Sequence, residues 1–385
     1  MKKTKGILAS LLACATVLSF SACGGGGAAS SSAAVASSAA AASSSAAADS
    51  SKGGASGQLI GVSMPTQSLQ RWNQDGSNMK KQFESKGYKV ELQYANNDVN
   101  AQVQQIENMV TKGCKILVIA AIDGSSLTDV LDTAKKNDCK VIAYDRLIMK
   151  TPNVDYYCSY DNYKVGTMQG QYLETKLGLK DGKGPFNIEV FGGDPGDNNA
   201  KYFYNGAMDV LNPYIKSGKL VVQSGQIDFA KVAITNWTSA TAQNRMDNLI
   251  TSKYTGNTKL DAVLSPNDSL AIGIVASLKS NGYGTAGKPY PILTGQDCDV
   301  ADVKAIKAGQ QSMSIFKDTR LEAAKVISMV DAMEQGSTPE TNNTKDYNNG
   351  SKIVPTELLN PVYVDKNNWD DILVKSGYYT EDQLK

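Results

Sequence analysis

The chain has 385 residues, with 39 Lys and Arg against 38 Asp and Glu, and no histidine. The missing imidazole excludes Ser-His and Cys-His nucleophile pairs, imidazole general bases and His-containing zinc sites. A net charge of +1, with acids and bases interspersed and no polybasic run, gives no footprint for nucleic acid, so no nucleic-acid partner is expected.

The chain opens with Lys2, Lys3 and Lys5, followed by an almost unbroken apolar stretch from Ile7 to Phe20. That stretch has the length of a secretory h-region and is too short to span a bilayer. It ends in Ser21-Ala22-Cys23-Gly24, which resembles the lipobox of bacterial lipoproteins, with Phe20 where Leu is usual. The resemblance implies a signal peptide over residues 1–22 and diacylglycerol on Cys23; the alternative is an ordinary cleaved signal peptide with a chance cysteine. Two acyl chains make a stable anchor. Residues 23–57 then form the lipidated cysteine and a tether of Gly, Ala and Ser, too poor in apolar bulk to fold. A coil of that length spans about 30 Å. The body is therefore expected outside the cytoplasm, anchored by lipid to the cell membrane.

The remainder, about 330 residues from Gln58 to Lys385, exceeds what one core usually supports, so two domains are expected. Leu59–Met64 reads as a buried strand, and Trp72–Lys86 has helical periodicity ending at Gly87. Val90–Ala95, Ile116–Ile122 and Val141–Tyr144 read as strands, with helices over Gln102–Lys112 and Leu127–Lys136 between them. A polar tract, Tyr156–Asn162, follows, and the alternation restarts. Helices are predicted over 165–177, 199–216, 240–252, 270–280, 300–308 and 320–335. The strands between them are 186–191, 220–224, 261–264, 291–293 and 312–316, and a loop-rich tail ends the chain. Continuous apolar strands alternating with helices specify α/β lobes with parallel sheets covered on both faces. A (β/α)8 barrel competes on element count; the polar tract argues against it. Cys114 and Cys139 each precede an apolar strand. Adjacent parallel strands would bring them near each other, and buried free thiols are expected over a disulfide. No CxxC pair suggests a metal site.

In open parallel sheets ligands bind beyond the carboxyl ends of the strands. Those ends are polar and varied here: Arg71 and Trp72 follow the first strand, Asp123 the third, Asp145-Arg146 the fourth. In the second run come Asp197 and Asn199, then Asn267, Asp297 and Lys317, with Trp237 in a loop. Carboxylates accept from sugar hydroxyls, Arg, Lys and Asn donate to them, and an indole lies against a C–H face. Asp145, Asp197 and Asp297 balance Arg71, Arg146 and Lys317, which suits a neutral polyol. Each group has a duller reading. Asp145-Arg146 fits a local ion pair, Trp72 a core residue, and Asp197 to Asn199 a helix N-cap. Gly192-Gly193 lacks the spacing of a phosphate loop, and spacing leaves a glycosidase acid–base pair open.

The chain resembles the periplasmic monosaccharide-binding proteins of ABC importers, in pattern nearest the xylose-binding and multiple-monosaccharide-binding branch. The resemblance rests on Gln105-Ile106-Glu107-Asn108-Met109, Ile142-Ala143-Tyr144-Asp145-Arg146, Asp197-Asn198-Asn199-Ala200-Lys201, Ser265-Pro266-Asn267-Asp268 and Gly295-Gln296-Asp297, and covers Gln58 to Lys385. It implies the type I binding-protein fold, two doubly wound lobes joined by a three-segment hinge. The N-terminal lobe would take 58–160 and 318–360, and the C-terminal lobe 161–317 and 361–385. The implied ligand contacts are Arg71, Trp72, Asp145, Arg146, Asp197, Asn199, Trp237, Asn267, Asp297 and Lys317, with Asp123 a further candidate at a position that varies among relatives. The ligand would be a monosaccharide of the xylose, glucose, galactose or arabinose class. The partners would be an ABC permease and its ATPase, with no cofactor, no metal, no catalytic residue, and a monomeric state. The alternatives are a sugar-sensing input to a membrane receptor or kinase and an extracellular carbohydrate-active enzyme.

Overall fold

The computed structural model describes residues 57–385; the leader, Cys23 and the tether lie outside the described residues. Two parallel sheets organise the chain. The first takes β1 (Leu59–Met64), β2 (Lys89–Tyr94), β3 (Ile116–Ile119), β4 (Lys140–Tyr144) and β5 (Tyr156–Tyr160). Helices α1 (Gln70–Ser85), α2 (Val99–Thr111) and α3 (Thr128–Lys136) connect the first four strands. The chain then passes through α4 (Asn162–Leu177) into the second sheet. That sheet holds β6 (Phe186–Val190), β7 (Leu220–Val221), β8 (Ala262–Leu264) and β9 (Ile292–Leu293). Its helices are α5 (Asn198–Lys216), the single turn α6 (Phe229–Val232), α7 (Ser239–Lys253), α8 (Asp268–Ser280) and α9 (Val300–Lys307). Next come β10 (Met313–Phe316), α10 (Thr319–Glu334), β11 (Thr356–Leu359) and β12 (Val362–Asp365).

The first sheet runs β11-β5-β4-β3-β1-β2, all parallel. The second runs β7-β6-β8-β9. Strand β10 continues it through main-chain bonds from Ser312 to Leu293 and from Ile315 to Gly295, and β12 pairs antiparallel with β10. Each sheet thus winds outward in both directions from its first strand. That creates a switch point where neighbouring connections leave on opposite faces, the position at which such sheets take ligands. The chain passes between the sheets three times, after β5, after β10 and after β11.

Alternation within the strands accounts for the layering. On β3, Ile116 and Val118 pack with Ile60 and Val62 on one face, while Leu117 and Ile119 join Ile106 and Leu131 on the other. In the second sheet Val263 and Ile315 pack against α7 and α8, while Ile188 and Val190 pack with Tyr204 and Leu211 of α5. Residues buried on both faces of a sheet read as continuous apolar runs, which is why these strands show in the sequence.

Two separate sheets exclude the (β/α)8 barrel that the sequence already disfavours. Three expectations need correction. The tract Tyr156–Tyr160 is no separator but strand β5, in which Tyr157 and Tyr160 use their rings as core and donate their hydroxyls to the Asp145 and Asp318 carbonyls. The loop-rich tail contains β11 and β12, one on each sheet. Helix α1 also begins at Gln70 rather than Trp72, which places Arg71 inside its first turn.

Cys114, Cys139, Cys158 and Cys298 are free and buried. The Cys139 thiol donates to the Cys114 carbonyl at 2.9 Å, and burial pushes the Cys114 thiol up to about 11. Thiolate is the reactive form. Peptide mapping after treatment with a thiol reagent should therefore find all four unlabelled in the native protein and labelled in denaturant.

Candidate functional site

Between the carboxyl ends of the two sheets lies a cavity of about 300 Å³, counting the space at its mouth. Its lining includes Arg71 and Trp72 from α1, Asp145 and Arg146 after β4, and Asp197 at the start of α5. Trp237, Asn267, Asp297 and Lys317 complete the predicted set. Nine of the eleven candidates therefore converge on one cavity.

The charged groups interlock across the two sheets. The Arg71 guanidinium donates from Nε to Asp75 Oδ2 and from Nη1 to Asp145 Oδ2, both at 2.9 Å, and stands 3.5 Å from Asp297 Oδ1. Its Nη2 faces Glu322 Oε2 at 3.6 Å with no hydrogen bond between them. Lys317 Nζ lies 3.2 Å from Asp297 Oδ1 and 3.5 Å from Asp145 Oδ2. Arg146 Nε pairs with Asp197 Oδ2 at 2.9 Å, close in distance but off-axis for a hydrogen bond. All six lining charges are at least nine-tenths buried. Unpaired buried charges are costly, so each cation needs the carboxylates it meets here.

Burial alone would raise the Asp145 carboxyl, but Arg71, Lys317 and Arg146 together outweigh it and hold it at about 2. Asp197 goes the other way: burial raises it further than Arg146 lowers it. Asp145 is therefore a firm anionic acceptor, while Asp197 is closer to protonation.

Backbone strain collects at the same residues. Asp145, Trp237 and Asp297 have φ of 56°, 52° and 96°, a region that side chains other than Gly adopt at a cost of about 1–3 kcal/mol. At Asp145 the compensation is visible, since its carbonyl accepts from Tyr157 Oη (2.7 Å), Ser159 Oγ (2.9 Å) and Asn199 Nδ2 (2.7 Å). Asn199 thus reaches the site through the Asp145 main chain and does not line the cavity. Trp237 packs edge-on to Phe203 at 6.4 Å, and a Cβ at Gly193 would sit 1.9 Å from its ring. Only glycine at 193 leaves the indole its place. Trp72 is both core and lining; its ring carries the guanidinium groups of Arg71 and Arg146 at 4.4 and 5.0 Å. Asn267 caps α8 by accepting from Leu270 N at 3.1 Å, which leaves its NH₂ as the donor available to a ligand.

Asp123 lies outside the lining. Its Oδ1 accepts from Ser125 N, and the adjacent Gly124 N donates to Gly196 O at 3.2 Å, a contact between the two halves at the rim. The cavity also takes Leu69, Phe203 and Gln296, which the sequence reading did not single out. Phe203 stands one helical turn after Asn199, a spacing that places both on one face of α5. Gln296 sits inside the quoted Gly295-Gln296-Asp297 run. Among the described residues no group of His, Cys, Asp or Glu side chains has metal-holding geometry, and no helix is long and apolar enough to cross a membrane.

Two doubly wound lobes with a polar cavity at their facing switch points define a type I binding protein, and the comparisons agree. Residues 60–338 match the periplasmic binding protein domain, and the chain belongs to that family. It is 58% identical over 326 residues to the multiple sugar-binding periplasmic protein SbpA of Azospirillum brasilense, covering 85% of this chain and 91% of that one. It is 38% identical over 325 residues to the D-xylose-binding periplasmic protein of Escherichia coli, covering 84% and 92%. A crystal structure of an ABC transporter solute-binding protein from Clostridium phytofermentans with bound β-D-glucose superposes with a TM-score of 0.82 at 58% identity, covering 85% of this chain and 100% of that one.

Beside the cavity a second group of acids contributes to the pH response, in the same direction as Glu322 and Asp75, which burial also raises. Burial, reinforced by Asp297, pushes Asp299 up to about 7. Burial also raises Asp268 and Asp302 well above the carboxylate range, with Asp299 adding to both and Asp268 adding to Asp302. An unfolded carboxyl titrates near 4, so between about 4 and 7 the folded state holds protons the unfolded state has lost. Stability therefore falls as pH rises through that window. Asp145 acts oppositely, its contribution fading only as pH falls from about 4 toward 2. The melting temperature should be higher at pH 5.5 than at pH 8, and Asp299→Asn should flatten that slope in a thermal denaturation series.

Proposed function

We propose that this chain is a solute-binding protein that captures a neutral monosaccharide of the xylose, glucose, galactose or arabinose class in the cavity. In this reading, hinge closure presents the loaded protein to an ABC permease and its ATPase. The observation that carries it is the interleaving of three cations and three carboxylates around a cavity flanked by two indoles. A pyranose presents hydroxyls that donate and accept around its rim and an apolar C–H face on each side. Charge-assisted hydrogen bonds supply strength, and the balance of charge leaves no net field that would demand an ionic ligand. The sugar names of SbpA, the xylose-binding protein and the glucose-bound Clostridium protein support the same reading.

The lobes in this proposal are 58–160 with 318–360, and 161–317 with 361–385. A ligand touching Arg71, Asp145 and Arg146 on one side and Asp197, Asn267 and Asp297 on the other is fully held only when both lobes meet it. Binding therefore shifts the population toward the closed form. No bond is made or broken. The protein works as a monomer outside the cytoplasm, and the lipid on Cys23 with the tether over residues 23–57 keeps it within reach of the permease. Asp123 and Asn199 act at the rim and through the main chain.

Asp145→Asn isolates the electrostatic part, because Asn tolerates the left-handed backbone that Asp145 occupies while leaving Arg71 and Lys317 short of an anion. Calorimetric titration with D-glucose should show at least a tenfold loss of affinity, about 1.4 kcal/mol or more. Asp155→Asn, at the opposite end of the strands where Asp155 accepts from Val141 N, should stay within about twofold of the parent, less than the energy of one hydrogen bond. Equal effects would remove Asp145 from the ligand's shell. Incubation with glucosides that releases no free glucose separates capture from hydrolysis, since free glucose has no glycosidic bond to cleave.

A further inference from the structure

One layer behind the cavity, an uncharged set of contacts joins the two halves. Gln70, the residue before Arg71, donates from Nε2 to Tyr379 Oη at 2.6 Å and accepts at Oε1 from Val300 N at 3.1 Å. Gln74 Nε2 donates to the same hydroxyl at 3.0 Å. That hydroxyl donates in turn to the Cys298 carbonyl at 3.0 Å. With one bond donated and two accepted, Tyr379 Oη is saturated. The ring is 3% exposed and packs with Cys298, Val303, Phe316, Val364, Leu373 and Leu384. The ring therefore belongs to the side of β10 and β12, while the hydroxyl reaches α1 on the other side. Tyr378 repeats the pattern, donating to Gln74 Oε1 at 3.0 Å and meeting Thr319 Oγ1 at 3.1 Å, where the chain passes from β10 to α10.

Neither tyrosine lines the cavity. Tyr379 nevertheless links the sequence neighbours of two site residues on opposite sheets, Gln70 beside Arg71 and Cys298 beside Asp297. Moving the halves apart breaks this set at once, whatever the cavity contains.

We propose that Tyr379 is a positioning residue for ligand capture, a neutral latch between the C-terminal segment and α1 that sets affinity without touching the ligand. The inference rests on the reading of ligand capture by closure given above. Apparent affinity scales with the fraction of protein in the binding-competent state. The latch raises that fraction in the absence of ligand. Being uncharged, it does so independently of salt, unlike exposed ion pairs.

Tyr379→Phe keeps the ring in its pocket and removes only the hydroxyl. In the full chain, titrated with D-glucose, it should raise Kd about fivefold or more, because the bonds from both Gln70 and Gln74 across the halves are lost. Glucose should dissociate faster, and small-angle scattering of the sugar-free protein should show a larger radius of gyration than the parent. Gln74→Met lies outside the cavity and removes one donor to the same hydroxyl. It also removes the acceptor of Tyr378 Oη, so it should act in the same direction by a comparable amount, and it serves if the tyrosine variant fails to fold. Combined with Tyr379→Phe it should add less than its separate effect, because both changes break one network. A lower melting temperature with unchanged Kd and unchanged sugar-free scattering would make Tyr379 merely structural and overturn the proposal. If the parent binds neither D-glucose nor any other aldose, the capture reading fails instead. The sugar-free scattering comparison still decides the latch in that case.

Discussion

The charged groups at the facing sheet edges are satisfied partly across the two halves. Arg146 has its carboxylate partner, Asp197, on the second sheet, and Lys317, in the passage between sheets, meets Asp145 of one half and Asp297 of the other. Arg71 is shared among Asp75, Asp145, Asp297 and Glu322. Partners for a buried charge are obligatory in low dielectric. The arrangement therefore ties the two halves through the same groups that line the cavity. A ligand whose hydroxyls replace some of those partners competes for groups already in use. Affinity becomes a difference between two well-satisfied states, which favours exchange of the ligand over permanent retention.

The left-handed backbone at Asp145, Trp237 and Asp297 belongs to the same economy of structure. Each of these side chains leaves its strand end or loop at an angle that an extended or helical backbone would not give. The strain is local, and the restraint comes from elsewhere: from β5 and α5 at Asp145, and from the tight fit over Gly193 at Trp237. The scaffold contributes more than a frame here. It holds functional side chains in orientations they would not adopt alone.

Much of this was readable from residue order because parallel sheets force it. Strands buried on both faces must be apolar throughout, so Ile116–Ile119 and Val141–Tyr144 stand out, and in such a fold the polar residues just past them converge. Asp145, Arg146, Asp297 and Lys317 were found that way. Strand β5 was missed because its burial is carried largely by Tyr157 and Tyr160, whose hydroxyls make Tyr156–Tyr160 look polar although both are bonded inside. Strands β11 and β12 are four residues each, too short for a period to show. Phe203 was hidden because one aromatic residue on a helix reads as core unless its neighbours in space are known. Asn199 reads equally as ligand contact or cap; only the fold shows it supporting the Asp145 carbonyl.

The Tyr379 contact shows why the remainder was illegible. Its meaning depends on Gln70 and Gln74, more than three hundred positions earlier, and no local pattern couples a C-terminal tyrosine to the first helix. The physical consequence is a division of labour between two layers. The inner layer is ionic and strained, and its geometry answers to a ligand. The outer layer is neutral and saturated, and it answers only to how far apart the two halves stand. Substitutions in the inner layer alter which molecule fits, because they change donors, acceptors and charge at the cavity wall. Substitutions in the outer layer leave that wall intact and move only the balance between apposed and separated halves. A scaffold built this way can adjust binding strength over evolutionary time without altering what it recognises.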